Sequence, residues 1–141
     1  MNDPITDIRS QLLRDEAVRN FPYTDTKGKL TIGVGHNLTD RGLSAGSIDF
    51  ILSEDIVEVV TELRSRLPWF SALDEARRGV LINMCFNLGF SKLEGFPKFL
   101  AAAAQGDWNT AAEEMLSSAW AKEVGERADR LAEQMKSGEW M

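Results

Sequence analysis

The chain has a single cysteine, a single histidine and a single tyrosine in 141 residues. One cysteine excludes an internal disulfide, and one histidine excludes any site built on two, such as the helical HExxH zinc motif. No set of thiolates is available for a structural zinc, so neither a metal nor a cofactor is expected. No run of about 18 apolar residues occurs, and no membrane span is expected. The first stretch, MNDPITDIRSQLLRDE, is charged and lacks the apolar core of a secretory signal; accumulation in the cytoplasm is the expectation. Positive charge is the minority, with 16 Lys and Arg against 22 Asp and Glu and a net charge of −6. That sign disfavours binding to nucleic-acid phosphates. What is present is ordinary for a folded protein, 43% hydrophobic and 27% charged, and the length suits one domain.

The apolar pattern is mostly helical. Ile5, Ile8 and Leu12 recur at helical spacing, predicting a helix over 3–17 with Glu16 continuing its apolar stripe. Asn20, Pro22, Gly28, Gly33 and Gly35 break that pattern, and Leu30, Thr31, Ile32 and Val34 suit strands. A small hairpin or antiparallel sheet is expected over about 21–38, with Asp25-Thr26-Lys27-Gly28 as a turn. Ser44 can cap a helix running to about Arg66, ended by Pro68. Ser71 with Asp74 resembles a capping box for a helix ending near Gly89. Shorter helices are predicted at about 96–104, 108–117 and 125–136, with Trp108, Trp120 and Trp140 packing the C-terminal part. The order helix, small sheet, long helix, helix cluster is α+β, with the sheet confined to one lobe. A cleft between two such lobes is the usual place for a ligand.

Several polar groups have plain structural readings. Cys85, among Leu81, Ile82, Met84 and Phe86, reads as a buried, inert thiol. Glu54-Asp55 and Glu113-Glu114 read as solvated helix faces, and Arg77 and Arg78 as surface ion-pair partners. Three others suggest chemistry. Glu16 sits on an apolar face, where desolvation would raise its pKa, whereas Asp25 in a polar turn would stay ionised. Two carboxyls held apart in this way are the pattern of an acid and a base serving one site, and glycosidases need such a pair flanking the scissile bond. The Thr31 hydroxyl could hold an attacking water. Acid pairs at this spacing are common, so the residues alone leave the reading open.

The stretch from Glu16 to His36 adds more. Glu16, Tyr23-x-Asp25, Gly28 and Thr31-Ile32-Gly33-x-Gly35-His36 closely resemble the signature of the phage-type lysozymes, glycoside hydrolase family 24. A second match is Arg77-Arg78 followed by Leu81-Ile82-Asn83-Met84-x-Phe86-x-x-Gly89. A third runs through Gly95-Phe96, Trp108, Trp120 and Arg127. The resemblance implies one lysozyme domain over 1–141. Its N-terminal lobe with the small sheet would lie at about 13–60, and a helical C-terminal lobe at about 1–12 and 61–141, joined by the long helix.

It further implies a monomeric muramidase acting on peptidoglycan glycan strands, without stable membrane insertion. Glu16 would be the general acid. Asp25 and Thr31 would position a water on the opposite face of the sugar, with inversion at the anomeric carbon. Asn37 and Phe86 match substrate contacts. The remaining cleft positions fall on Phe99 and Glu114, which differ in type from the family pattern. Arg127 matches an arginine that reaches towards the catalytic glutamate, and His36 is expected to support the sheet. Ala17 stands where glycine is usual, and the segment between His36 and the long helix is short. The acidic net charge also departs from the many basic members. Two alternatives remain: a lysozyme-fold binding or phage structural module without turnover, and a lytic transglycosylase, which Asp25 disfavours.

Overall fold

The computed structural model of the chain describes residues 4–141. Helix α1 (Pro4–Asp15) leads into strand β1 (Val18–Thr24), followed by β2 (Leu30–Val34) and the short β3 (His36–Asn37). These strands form an antiparallel sheet in the order β1-β2-β3. The predicted sheet is present, and it begins earlier than expected because α1 stops at Asp15. Pro22 lies inside β1 rather than ahead of it. The pairs Arg19–Gly33 and Tyr23–Thr31 leave Asn20, Phe21 and Pro22 facing Ile32 alone. A bulge of this kind suits proline, which has no N–H to give to a ladder.

A four-residue helix, α2 (Leu38–Arg41), follows β3, and the long helix α3 (Ala45–Arg66) comes next. Ser44 caps α3 as predicted, its Oγ accepting from Ser47 N at 3.1 Å. The remaining helices are α4 (Glu75–Leu88), α5 (Phe90–Leu93), α6 (Pro97–Gln105), α7 (Trp108–Leu116), α8 (Ala119–Val124) and α9 (Glu126–Ser137). The three shorter helices read from the sequence correspond to α6, α7 and α9. The fold is therefore α+β and mostly helical, as expected. The cap of α4 differs from the prediction: Asp74 itself accepts from Arg77 N at 3.2 Å, while Ser71 lies in a preceding 3₁₀ turn.

Contacts divide the chain into Met1–Phe50 and Ile51–Met141, with the division falling inside α3. Every buried apolar side chain among the described residues belongs to the second unit, from Leu63 to Met135. Its centre is one face of α4, made by Ala76, Val80, Leu81, Met84 and Cys85 at helical spacing. Alanines at 102, 103, 111, 112, 128 and 132 are buried where α7 packs on α6 and α9, and their small side chains let the backbones approach closely. Trp120, Phe70 and Phe99 fill the larger gaps, being almost fully buried. Each such side chain contributes roughly 1.5–3 kcal/mol by burial.

Two packing expectations are corrected. Trp140 is 61% exposed and lies against Gly79 rather than within the core. Arg77 pairs with Asp74 as expected, Nη1 to Oδ1 at 3.1 Å, but not as a surface group: its side chain is only 13% exposed, Nε donates to Met135 O at 2.6 Å and Nη2 to Lys136 O at 2.9 Å, and the guanidinium lies 4.1 Å from the Trp108 ring centre. It satisfies carbonyls at the C-terminal end of α9, where a cation is favoured. No helix of the described residues is long and apolar enough to cross a membrane.

Candidate active site

Glu16 stands one residue past α1, where its N–H donates to Leu12 O at 2.8 Å and prolongs the helical hydrogen bonding. Its side chain is exposed, as are Ile5, Ile8 and Leu12 at 66%, 45% and 44%. The expected burial of this carboxyl on an apolar face is therefore absent from the described structure. Its near neighbour is Gly35. A β-carbon at Gly35 would lie 3.5 Å from Glu16 Oε2. The pairing of Ile32 with His36 closes a tight turn through Gly33, Val34 and Gly35, with φ of +69° and +65° at the two glycines. Glycine adopts such angles without steric cost, and its bare Cα leaves room for the carboxyl.

Asp25 sits in the β1–β2 turn, half-buried, and is held from several directions. Its Oδ1 accepts from Lys27 N and Lys29 N, both at 2.8 Å, and its own N–H donates to Lys29 O at 2.8 Å. Gly28, at φ +79°, lets the chain turn, and its N–H donates to Asp25 O at 3.0 Å. Asp25 Oδ2 makes no hydrogen bond with the described residues. The carboxylate is thus fixed through one oxygen, and the other is left to accept.

Thr31 is the one buried polar side chain of the sheet, 3% exposed. Its Oγ1 donates to Lys29 O at 3.0 Å. With the hydroxyl proton engaged there, the oxygen lone pairs are available to an incoming donor. The backbone of Lys29 therefore ties Asp25 and Thr31 together, its N–H held by one and its carbonyl shared by both.

His36 Nε2 lies 2.6 Å from Gly42 O, a bond that links β3 to the end of α2. Asn37, expected as a substrate contact, spends its side chain within the protein. It caps α2, accepting from Asp40 N at 2.9 Å and donating to Asp40 Oδ2 at 3.0 Å.

The other expected residues belong to the second unit. Phe86 is 45% exposed and lines a cavity of about 370 Å³ with Asn83, Arg127 and Trp140. Arg127, at the start of α9, is half-buried and clasps Asn83, with Nε and Nη2 donating to Asn83 Oδ1 at 2.9 and 2.7 Å. Phe99 is 1% exposed, so its ring is held in the core; it borders a cavity of about 320 Å³ that Glu114 also lines. No group of three or more His, Cys, Asp or Glu among the described residues could hold a metal ion.

The sequence profile of the phage lysozymes matches residues 14–137, nearly the whole chain and all of the elements that carry these groups. The chain belongs to the phage lysozyme family. The relatives that it matches lie at low identity. "Probable T4-type lysozyme 1" of Dictyostelium discoideum is 25% identical, covering 95% of this chain and 96% of the relative. "Probable T4-type lysozyme 2" of the same organism is 22% identical over the same shares. The pre-baseplate central spike protein Gp5 of Enterobacteria phage T4 is 25% identical over 92% of this chain, which spans only 28% of that protein's length.

Three residues that hold these side chains escaped the sequence reading as candidates. Lys29 acts through backbone atoms, which no side-chain pattern reveals. Asn83 and Asp40 are polar residues whose partners lie far off in sequence or across a turn. The glycine of the Gly-x-Gly-His run was the one available signal for the Glu16–Gly35 approach.

Proposed function

We propose that this chain is an endo-acting muramidase that hydrolyses the β-1,4 bond between N-acetylmuramic acid and N-acetylglucosamine in peptidoglycan. The observation that carries the reading is the Asp25–Lys29–Thr31 arrangement, in which the Lys29 backbone holds Asp25 Oδ1 in the turn and the Thr31 hydroxyl on β2, leaving Asp25 Oδ2 and the lone pairs of Thr31 Oγ1 to accept. A water donating its two protons to these acceptors would keep a lone pair for the anomeric carbon. Glu16 would give its proton to the leaving glycosidic oxygen as that bond breaks, and the water oxygen would bond to the anomeric carbon while its proton passes to Asp25. Inversion follows from such an attack. Phe86 and Glu114 are proposed to border the bound glycan strand, Phe99 to shape the cavity beside Glu114 from within the core, and Asn37 to contribute through its backbone. Arg127, whose described partner is a neutral amide, is proposed to act as counter-charge to Glu16.

The same reading has a monomer that accumulates in a bacterial host's cytoplasm, reaches periplasmic peptidoglycan after release and lyses the cell. A second reading, a wall-binding or phage structural module without turnover, draws on the similarity to the T4 spike protein. The deciding experiment is hydrolysis of purified peptidoglycan by wild type and Glu16→Gln, with product ends identified by mass. Reducing muramic ends, lost by a factor of about a hundred or more in the variant, support the muramidase. Anhydro ends indicate a transglycosylase, and wall binding without turnover the structural module.

A further inference from the structure

The turn that carries Asp25 is braced from outside the sheet by the four residues of α2. Lys29 Nζ donates to Asp40 Oδ1 at 3.0 Å, and both side chains are part-exposed. Asp40 is itself fixed, its Oδ2 accepting from Asn37 Nδ2 at 3.0 Å and its N–H donating to Asn37 Oδ1 at 2.9 Å. One residue earlier, Thr39 Oγ1 accepts from Leu30 N at 2.7 Å. The Lys29 side chain and the Leu30 backbone are thus held by consecutive residues of α2. Between the two held groups, the Lys29 backbone supplies the N–H that orients Asp25 Oδ1 and the carbonyl that orients the Thr31 hydroxyl. α2 is in turn anchored by Asn37, which pairs across the sheet with Thr31 itself. The ring of contacts is closed and local.

We propose that Asp40 and Lys29 are positioning residues whose ion pair, together with the Thr39 hydroxyl, sets the aim of the Asp25 carboxylate and the Thr31 hydroxyl. This rests on the reading of Asp25 and Thr31 as the water-holding pair. The Asp40 carboxyl is held below the usual carboxylate range by its hydrogen bonds from Lys29 and Asn37, so it is charged wherever the enzyme would work. Neither side chain of the pair touches the reacting atoms. Their effect is on geometry, and a displacement of the order of 1 Å at a reacting group slows turnover without weakening binding elsewhere.

The test compares wild type with Asp40→Asn, Lys29→Met, the double variant, Lys29→Arg and Asp25→Asn. Turnover is measured on soluble peptidoglycan fragments, and amide hydrogen exchange at Lys27 and Lys29 is measured alongside. Asp40→Asn and Lys29→Met should each lower kcat about two- to five-fold, the scale of an exposed ion pair, with KM unchanged. The double variant should be no worse than either single one, because both remove the same contact. Lys29→Arg should retain kcat. In Asp40→Asn the Lys27 and Lys29 amides, which both bond Asp25 Oδ1, should exchange faster while the Thr31 and Ile32 amides do not.

Unchanged kcat, additive losses, or an effect confined to KM would overturn the positioning role. If Asp25→Asn keeps wild-type kcat, the reading of Asp25 fails instead. The exchange rates then decide the brace by themselves: faster exchange at Lys27 and Lys29 upholds it, and unchanged exchange removes it.

Discussion

Gly35 holds its bare Cα against the Glu16 carboxyl, so close that a β-carbon there would lie 3.5 Å from Oε2 and 3.7 Å from Cδ. Such a contact is ordinary in length, but the backbone at Gly35 has φ +65°, where any other L-residue is strained by roughly 1–2 kcal/mol. Gly35→Ala should therefore lower stability by about that amount in denaturant titration and also reduce turnover, because the methyl group would lie against the Glu16 carboxyl and displace water from it. Gly125→Ala is the control. It has φ +59° and open space around it, so it should cost stability and leave kcat alone. Equal kcat for the two variants would separate Gly35 from the chemistry.

Thr31→Val is nearly isosteric at a position 3% exposed. The hydrogen bond to Lys29 O is lost, yet that carbonyl keeps its bond from Asp25 N, so no buried acceptor is stranded. Stability should fall by only about 0.5–1.5 kcal/mol. Turnover should fall tenfold or more, the range expected when a group that positions a reactant is removed. A matching small change in both would make Thr31 a structural residue.

Asn83→Asp would give Arg127 a carboxylate in place of the amide oxygen that now takes two of its N–H groups. Charge-assisted bonds are the stronger kind, so the melting temperature should hold or rise. On the counter-charge role proposed for Arg127, turnover should fall several-fold, because the new carboxylate neutralises its guanidinium. Undiminished turnover would count against that role for Arg127.

Cys85 is 3% exposed, and burial, with the nearby Glu62 charge, pushes its thiol above the usual range. A raised pKa leaves less thiolate at any pH, and the thiolate is the reactive form. The folded protein should resist iodoacetamide at pH 7–8 and label fully in denaturant. Because the shift favours the neutral folded form, its contribution to stability should be lost as the pH rises past the ordinary thiol range. Rapid labelling of the native protein, read by mass, would contradict the packing of α4.

A net charge of −6 opposes approach to an anionic wall. Activity on whole peptidoglycan should rise from low ionic strength to about 0.15 M, where the screening length is about 8 Å. Turnover on small neutral fragments should be insensitive over the same range. A steady decline with added salt would point to attractive steering instead.

Much of this was legible in one dimension because it is local. The Asp25–Gly28 turn, the positive-φ glycines, the Ser44 cap and the periodicity of α3, α6, α7 and α9 depend on residues a few positions apart. The exposure of Glu16 was not legible. An apolar stripe at Ile5, Ile8 and Leu12 says which face is apolar, not what covers it. Asn37 illustrates the same limit, since a polar side chain beside a motif can serve a ligand or cap the next helix, and here it caps α2.

The sequence by itself determined the class of fold and the turn that presents Asp25, because backbone propensity and short-range hydrogen bonds act within a few residues. Only the tertiary structure decided that Phe99 lies in the core, that Trp140 lies outside it, that Arg77 closes α9 and that Arg127 clasps Asn83. Those outcomes depend on which side chains meet across many positions of chain, and that is settled by close packing of the whole unit rather than by any local preference.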